Sequence, residues 1–282
     1  MEKSIAGYNV TGTKLGGYEI ETLLCRSGSG IVFRARQKSV DRPVALKVLS
    51  ADFSSDPASV GWFQKGAGAI ARLNHPNIIR VYEITEENSI YFFSMEYAEG
   101  RTLGEVLKEN GRVCADERMR IITSATRAIE HAHRYGIVHG NIRPSCIFIE
   151  ASGNVKVMGF GHAWTSKRFS RQPQSNSFLK TIGYTPPERY RLEELDERSD
   201  IYSLGVVLYE VLTGRLPFDA PNEMALVYKI THEDPLEVRY VNPDVPDGLS
   251  RVVSRAMSRN REQRYSSISG FLNDVSRFEP TY

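Results

Sequence analysis

Residues 137 to 161 read I-V-H-G-N-I-R-P-S-C-I-F-I-E-A-S-G-N-V-K-V-M-G-F-G, and the fold prediction starts from this stretch. Two short runs of β-branched and aromatic side chains, at 147–149 and 155–157, flank a segment with adjacent Gly and Asn. Apolar runs separated by turn residues predict a β-hairpin. A His-Gly-Asn loop precedes the hairpin and a Gly-Phe-Gly follows it, so two loops with polar or glycine positions frame one strand pair.

This order resembles the catalytic core of the eukaryotic-type Ser/Thr protein kinases, in their bacterial branch. In that family H-R-D-L-x-x-x-N precedes a strand pair and D-F-G follows it. Here Gly140 and Asn141 follow the His, Cys146 stands at the Asn position, and Gly159 stands at the Asp before Phe-Gly. The resemblance covers about residues 18–278. It implies an α+β, two-lobed fold, with a small β-rich N-lobe containing one main helix and a larger α-helical C-lobe.

The resemblance also implies a division of the chain. We expect an N-terminal tail at 1–17, the N-lobe at 18–96, a hinge at 97–101 and the C-lobe at 102–282. Val-Ala-Leu-Lys at 44–47 fits a strand, and 59–73 fits a helix that His-Pro-Asn at 75–77 ends. Further helices are expected at 103–110, 115–135 and 201–212.

Composition narrows the class of protein. The chain has 282 residues, 41% hydrophobic and 25% charged, with a net charge of +2, which is ordinary for a globular protein with a large core. A net charge this close to zero gives no reason to expect nucleic-acid binding. No run of about 18 apolar residues predicts a membrane span, and the N-terminus lacks the apolar centre of a signal peptide. Three widely spaced cysteines without C-x-x-C indicate reduced thiols. We therefore expect a cytoplasmic domain, with the cytosolic part of a longer protein as the other option.

The resemblance implies which residues would touch a nucleotide. In the family a glycine-rich hairpin covers the phosphates, and V-A-I-K supplies a lysine to them. Lys47 and Ala45 match V-A-I-K, and Val32 matches the valine after the glycines. Cys25 and Ser27 stand at the first two glycine positions, where their side chains would obstruct close approach of the backbone.

The rest of the expected nucleotide site comes from the hinge and the hairpin. Backbone groups at Glu96 and Ala98 would face an adenine, and Phe148 stands where the family usually has Leu beneath it. A ring of this size could fill the pocket itself, or it could simply pack in the core.

The acidic positions of the family are replaced. Gly66 stands at the position of the helix Glu that pairs with the strand lysine, and Asn141 stands at the catalytic base, whose loss typically costs about 10²–10⁴ in rate. Cys146 and Gly159 occupy the two Mg²⁺-ligand positions, although a hard cation prefers oxygen ligands. The sequence therefore predicts no catalytic residue, no metal site and no cofactor, apart from residual ATP binding without Mg²⁺.

From these losses we expect a pseudokinase, a non-enzyme that acts as a signalling scaffold or allosteric regulator. Two alternatives stay open: a metal-independent nucleotide-binding switch, and an atypical Ser/Thr kinase with weak ATP-dependent phosphotransfer. The segment 162–182 is rich in Ser and Thr and basic, with no Asp or Glu. It predicts a protein partner, either an active kinase or a phosphopeptide-binding protein.

Other family positions are kept, and the resemblance gives them structural roles. Asp200 matches the buried Asp that holds the catalytic-loop backbone, and Glu188 and Arg264 match the ion pair that braces the C-lobe. An apolar stack would be formed by Ile70, His139 and Phe160.

Overall fold

The structure is a computed structural model that describes residues 14–27, 30–110, 113, 115–160 and 181–279. Its internal contacts divide the chain into two units, which we treat separately. The first unit contains the described residues before 75, together with Ile79–Glu99. The second contains His75–Ile78 and the described residues from 100 onwards.

The first unit is built on an antiparallel sheet of six strands in the order β1-β2-β3-β4-β6-β5. Two helices accompany the sheet. The elements are β1 (Lys14–Leu15), β2 (Tyr18–Ser27), β3 (Gly30–Gln37), β4 (Arg42–Leu49), α1 (Ala51–Ser54), α2 (Pro57–Ala71), β5 (Val81–Glu87) and β6 (Ile90–Glu96).

Alternating side chains of this sheet form the core of the first unit, because successive residues of a strand face opposite sides. Tyr18, Phe33, Leu46 and Phe92 are each at most 1% exposed. Leu15 lies in the same cluster. The stretch 1–17, expected as a tail, therefore contributes a short strand to the core at its end.

Helix α2 begins with a strong local signal. The Asp56 carboxylate accepts hydrogen bonds from the Ser59 backbone N–H at 3.3 Å and from its hydroxyl at 2.7 Å, and Pro57 occupies the first helical turn. Such a cap satisfies backbone donors that the helix leaves unpaired. Gly66 is buried in this helix and presents no carboxylate.

The second unit is mostly helical, with a small sheet in the order β7-β8-β9. Two single 3₁₀ turns, Pro144–Cys146 and Arg261–Gln263, complete it. The remaining elements are β7 (Gly100–Thr102), α3 (Leu103–Asn110), α4 (Ala115–Arg134), β8 (Ile147–Glu150), β9 (Val155–Val157), α5 (Pro187–Tyr190), α6 (Glu197–Thr213), α7 (Glu223–His232), α8 (Val238–Val241), α9 (Asp247–Ala256) and α10 (Ile268–Ser276).

Helix α6 is the centre of the second unit. Nearly all of its residues are buried, which is typical of a helix that is apolar on every side. It packs against α4, α9 and α10. Asp196 and Ser199 form a capping box at its start, and Gly214 ends it with a φ of 75°.

The predicted hairpin is confirmed, with Ile147 opposite Val157. The turn contains Gly153 at a φ of 86°, a backbone conformation that glycine adopts without strain. Strand β7 pairs with the free edge of β8, so residues 100–101, expected in a hinge, belong to this sheet. None of the helices in the described ranges is both long and apolar enough to cross a bilayer.

Candidate active site

The loop that follows α4 is held by one buried carboxylate. Asp200 on α6 is completely buried and accepts hydrogen bonds from the backbone N–H groups of His139 and Gly140, each at 2.8 Å. The ring Nε2 of His133 lies 2.8 Å from the same carboxylate. Hydrogen bonds to an ionised acceptor are about twice as strong as neutral ones. This confirms the role predicted for Asp200.

The ring of His139 links this loop to the residues after β9. Its Nε2 lies 3.1 Å from the Met158 carbonyl oxygen, and its Nδ1 accepts a hydrogen bond from the Asn141 N–H at 3.3 Å. Burial lowers the pKa of His139, which favours the neutral ring. In that form Nε2–H donates to Met158 and Nδ1 accepts. The ring packs 4.5 Å from Phe160, as predicted, while Ile70 lies in the first unit.

Three of the replaced positions lie together in the second unit. The Sγ of Cys146 donates to the Asn141 carbonyl oxygen at 3.4 Å, and the Met158 N–H donates to the Cys146 carbonyl at 2.9 Å. Gly159 has a φ of 86°, and a Cβ at this position would lie 3.4 Å from the Cys146 Sγ. The fourth, Gly66, belongs to the first unit.

The side chains of this cluster do not fit a magnesium ion. Mg²⁺ needs oxygen ligands in near-octahedral geometry, whereas Cys146 offers a soft sulfur and Gly159 offers no side chain. Asn141 can contribute one amide oxygen. Within the described part of the chain, no three His, Cys, Asp or Glu side chains are grouped so that they could hold a metal ion.

The first unit brings together most of the residues expected to touch a nucleotide. Val32 and Lys47 are directly opposite each other on β3 and β4, and Ala45 lies two positions before Lys47. Glu96 ends β6, opposite β4, and Ala98 follows it.

Lys47 and Phe148 each have contacts within their own unit. The Lys47 Nζ lies 5.8 Å from the centre of the Phe93 ring, within reach of a cation–π interaction. Phe148 is half-buried on β8, where it pairs with Thr102 and Lys156 in the small sheet. It therefore belongs to the second unit.

Two arginines at this loop complete the candidate site. Arg143 Nη1 donates to the Thr181 hydroxyl oxygen at 2.7 Å, and Arg189 Nη1 donates to the Gly140 carbonyl at 2.9 Å. Burial lowers the pKa of Arg189. Arg143 could be found from the sequence, because it follows Asn141 by two positions where the family has Lys. Arg189 could not, because only the fold brings it to the loop.

A buried ion pair between Glu188 and Arg264 lies in the second unit. The Arg264 guanidinium donates to both oxygens of Glu188, at 2.8 and 2.9 Å, and the Ser199 hydroxyl donates to Glu188 at 2.7 Å. Burial alone would raise the pKa of Glu188, but the hydrogen bonds and charge of Arg264 outweigh it and hold this pKa below its ordinary value. The predicted pair is confirmed.

The segment expected to carry the protein partner lies mostly outside the described residues, at 162–180. Of this segment only Thr181 and Ile182 are described. Of the cysteines that the structure describes, Cys146 is buried and free.

Comparisons with known proteins place this geometry in context. The protein kinase domain family matches residues 18–274. PrkC of Bacillus subtilis, a serine/threonine-protein kinase, is 35% identical over 260 residues, covering 92% of this chain and 40% of PrkC. PknB of Mycobacterium leprae, also named a serine/threonine-protein kinase, is 34% identical over 264 residues, with 92% and 42% covered. This chain thus spans about two fifths of the length of these curated relatives.

Solved structures agree on the fold. The crystal structure of the Mycobacterium tuberculosis PknI kinase domain superposes with a TM-score of 0.74 at 23% identity, and covers 95% of this chain and 98% of that chain. The expectation of a β-rich N-lobe and a helical C-lobe is therefore confirmed.

Three expectations are wrong. We expected a pseudokinase, no enzyme and no cofactor, whereas the similar bacterial proteins are named serine/threonine-protein kinases. Kinases of this family use ATP with Mg²⁺, so the family implies this cofactor pair even though Cys146 and Gly159 do not fit the ion. The acids are lost, but Asp200, which holds the loop, and the buried Glu188–Arg264 pair are kept.

The match over 18–274, the shared fold and the preserved loop-holding carboxylate lead to one conclusion. This chain belongs to the protein kinase domain family.

Proposed function

We propose that this chain is an atypical Ser/Thr protein kinase, which transfers the γ-phosphoryl group of ATP to protein hydroxyls at a low rate. The observation that carries the proposal is the arrangement around Asp200, which fixes the backbone at His139 and Gly140 next to Asn141. Phosphoryl transfer depends mainly on positioning and electrostatic stabilisation. The two hydrogen bonds from the loop N–H groups to Asp200 preserve this positioning. The names of the bacterial relatives support the same reaction.

The low rate follows from Asn141. An amide oxygen can accept a hydrogen bond from a substrate hydroxyl and so orient it, but it cannot take the proton. Loss of a general base typically costs about 10²–10⁴ in rate. The proton would then leave to water or to a phosphate oxygen.

The positive groups of the site would bind the phosphate charge. We assign Lys47, with Val32 and Ala45 beside it, to the phosphates and the purine. The backbone at Glu96 and Ala98 would bind the adenine edge. Phe148, on β8 of the second unit, is assigned to the adenine only through the family resemblance.

The lobe boundaries, the partner-binding segment and the cellular location are also proposals. We propose lobes at 18–96 and 102–282 joined through 97–101, of which residues 100–101 also pair with β8, and a protein partner bound through 162–182. The cytoplasm is the proposed location, supported by the free thiol of Cys146.

The proposal is tested by label transfer from γ-³²P-ATP to dephosphorylated casein, with Mg²⁺, with Mn²⁺ and with EDTA. The variant Lys47→Met removes the proposed phosphate contact. Lys108→Met is the matched control, because Lys108 is exposed on α3 and is not among the residues assigned to the site.

We expect slow incorporation into Ser and Thr that Lys47→Met abolishes and Lys108→Met leaves unchanged. Equal label with Lys47→Met and the unaltered chain would indicate a contaminating kinase and refute the proposal. So would a complete lack of label under all three conditions.

A further inference from the structure

We propose that Arg143 and Arg189 select acceptor proteins that carry Asp or Glu close to the Ser or Thr to be modified. The inference deepens the function proposed above and rests on it, because an acceptor hydroxyl has to enter beside Asn141. Both arginines lie in the second unit, together with this loop. The substrate class is therefore an acidic protein segment.

The first observation is that both guanidinium groups lie at the loop that contains Asn141. Arg189 Nη1 donates to the Gly140 carbonyl at 2.9 Å, and the carbon of that carbonyl is bonded to the next backbone nitrogen, that of Asn141. Arg143 follows Asn141 by two positions and donates from Nη1 to the Thr181 hydroxyl at 2.7 Å. An acceptor chain whose hydroxyl is placed at Asn141 therefore passes close to two positive charges.

The second observation is that the hydrogen bonds of these arginines go to neutral groups. A hydroxyl and a carbonyl oxygen accept from them, and among the described residues neither Arg143 nor Arg189 forms an ion pair with a carboxylate. The Arg143 Nε is also buried and has no hydrogen-bond partner within the described ranges. Burying a charged group without a counter-ion is unfavourable. A carboxylate supplied by another molecule would remove this cost.

The carboxylates on the surrounding segments already serve other groups. Three of them accept hydrogen bonds within the second unit: Glu188 from Arg264, Glu210 from Tyr184, and Asp200 from the N–H groups of the loop. Burial lowers the pKa of Arg189, which is the direction expected for a guanidinium that has no carboxylate beside it. The chain's own acids, as far as the structure describes them, therefore leave both guanidinium charges for a partner.

The sequence that precedes Gly183 adds to the positive charge. From 162 to 182 it contains four basic residues and no Asp or Glu, so this segment supplies no carboxylate to either arginine. A positive surface attracts an acidic partner and disfavours a basic one. We therefore expect acidic acceptors to bind and basic acceptors to be excluded.

The chemistry of the guanidinium group favours a carboxylate over a neutral side chain. Its planar fork can donate parallel hydrogen bonds to both carboxylate oxygens, and such charge-assisted bonds are about twice as strong as neutral ones. One bond of this kind changes a dissociation constant by roughly tenfold or more. The phosphates of ATP are the competing anions at this loop, so the test includes ATP.

The experiment compares two fluorescent peptides that differ only in charge. Each has Ala in place of the acceptor Ser, flanked on both sides by Glu in one peptide and by Gln in the other. Fluorescence anisotropy measures both dissociation constants with the unaltered chain. We expect the Glu peptide to bind at least about tenfold more tightly, and the difference to shrink at high salt. Equal dissociation constants, or no binding of either peptide, would overturn the proposal.

Single variants assign the preference to the two arginines. Arg189→Gln and Arg143→Gln should each lower the ratio of the two dissociation constants, whereas Lys at either position keeps the charge without the fork and should preserve part of it. Arg251→Gln is the matched control, because Arg251 is exposed on α9 and pairs with Asp247 of the same helix. Thermal unfolding shows which variants are folded. A ratio that stays unchanged in the folded arginine variants, or that falls equally in the control, would overturn the proposal.

Two further measurements separate this inference from the proposed function. Anisotropy needs no phosphoryl transfer, so a chain that prefers the Glu peptide but labels no substrate would refute the proposed function and leave the binding preference established. If casein is labelled, forms of the peptides with a central Ser should show the same preference in kcat/KM, and equal values would overturn this inference alone.

The binding measurement is then repeated with saturating ATP. The preference for the Glu peptide should persist, because the carboxylates and the nucleotide are expected to bind different groups. Loss of the preference would show that the two guanidinium groups bind the phosphates of ATP instead, and this result would overturn the proposal.

Discussion

The substitution Asn141→Asp should raise the rate of the proposed phosphoryl transfer. The backbone at position 141 is fixed independently of the side chain, because its N–H donates to His139 Nδ1 at 3.3 Å and its carbonyl accepts from Cys146 Sγ at 3.4 Å. Asp and Asn have the same shape, so we expect the loop to keep its position. The change supplies a group that can take the proton of the acceptor hydroxyl.

The expected gain is the ordinary contribution of a general base, about 10²–10⁴ in kcat. At 1.36 kcal/mol for each tenfold change, this is about 2.7–5.4 kcal/mol of the barrier. Because the base acts on the acceptor hydroxyl, the KM for ATP should not change. Initial rates of label transfer at several ATP concentrations separate the two parameters.

Asn222→Asp is the matched control. Asn222 caps the start of α7, where its side chain accepts from the Ala225 N–H at 2.9 Å, and an Asp can make the same bond. This variant adds one negative charge far from the loop in sequence and should leave kcat unchanged. The reasoning would be refuted by a kcat within about twofold of the unaltered chain for Asn141→Asp, or by an equal rise for Asn222→Asp.

Further perturbations test the packing of each unit. Asp200→Asn replaces a buried carboxyl group that accepts hydrogen bonds from the His139 and Gly140 N–H groups and lies 2.8 Å from His133 Nε2. Unfolding in urea should therefore show a loss of roughly 3 kcal/mol; a loss below about 1 kcal/mol would contradict the importance of this side chain. Arg264→Met leaves Glu188 buried without its partner and should cost about 3–5 kcal/mol, whereas the double variant with Glu188→Leu should recover part of that loss in a double-mutant cycle. Because the folded pKa of Glu188 is lowered, its stabilising contribution is present above its unfolded pKa and is lost as the pH falls through the folded value; thermal unfolding between about pH 5 and pH 2 should show a smaller fall for that double variant. Tyr18→Phe removes the hydroxyl that donates to Glu83 at 2.6 Å and has a pKa raised to about 12, chiefly by burial. It should destabilise the first unit by about 1–2 kcal/mol in urea, and no measurable effect would argue against this bond.

Much of the fold could be predicted from local pattern. The hairpin at 147–157 follows from alternating apolar runs around a Gly-containing turn. Helix α6 follows from its continuous apolar sequence, and the family motifs fix the roles of Asp200 and of the Glu188–Arg264 pair. These features depend on residues that are close in sequence, or on motifs in a known order, and both can be read without coordinates.

The expectation of a pseudokinase was wrong because it was drawn from the motifs alone. A motif comparison shows which side chains are missing at Asn141, Cys146 and Gly159, but it does not show how the remaining residues hold the loop. The structure shows that Asp200 fixes two loop N–H groups although the acid at position 141 is gone. Positioning and proton transfer contribute separately to a rate, so loss of one does not remove the other.

The sequence by itself determined the hairpin at 147–157 and the main helices, because these follow from short-range periodicity, and its motifs, in their order, gave the resemblance to the family. Only the tertiary structure decided that Arg189 reaches the Gly140 carbonyl and that Arg143 meets Thr181, pairs separated by 49 and 38 positions. Such contacts arise when packing brings distant segments together, and no local pattern specifies which donor then faces which acceptor.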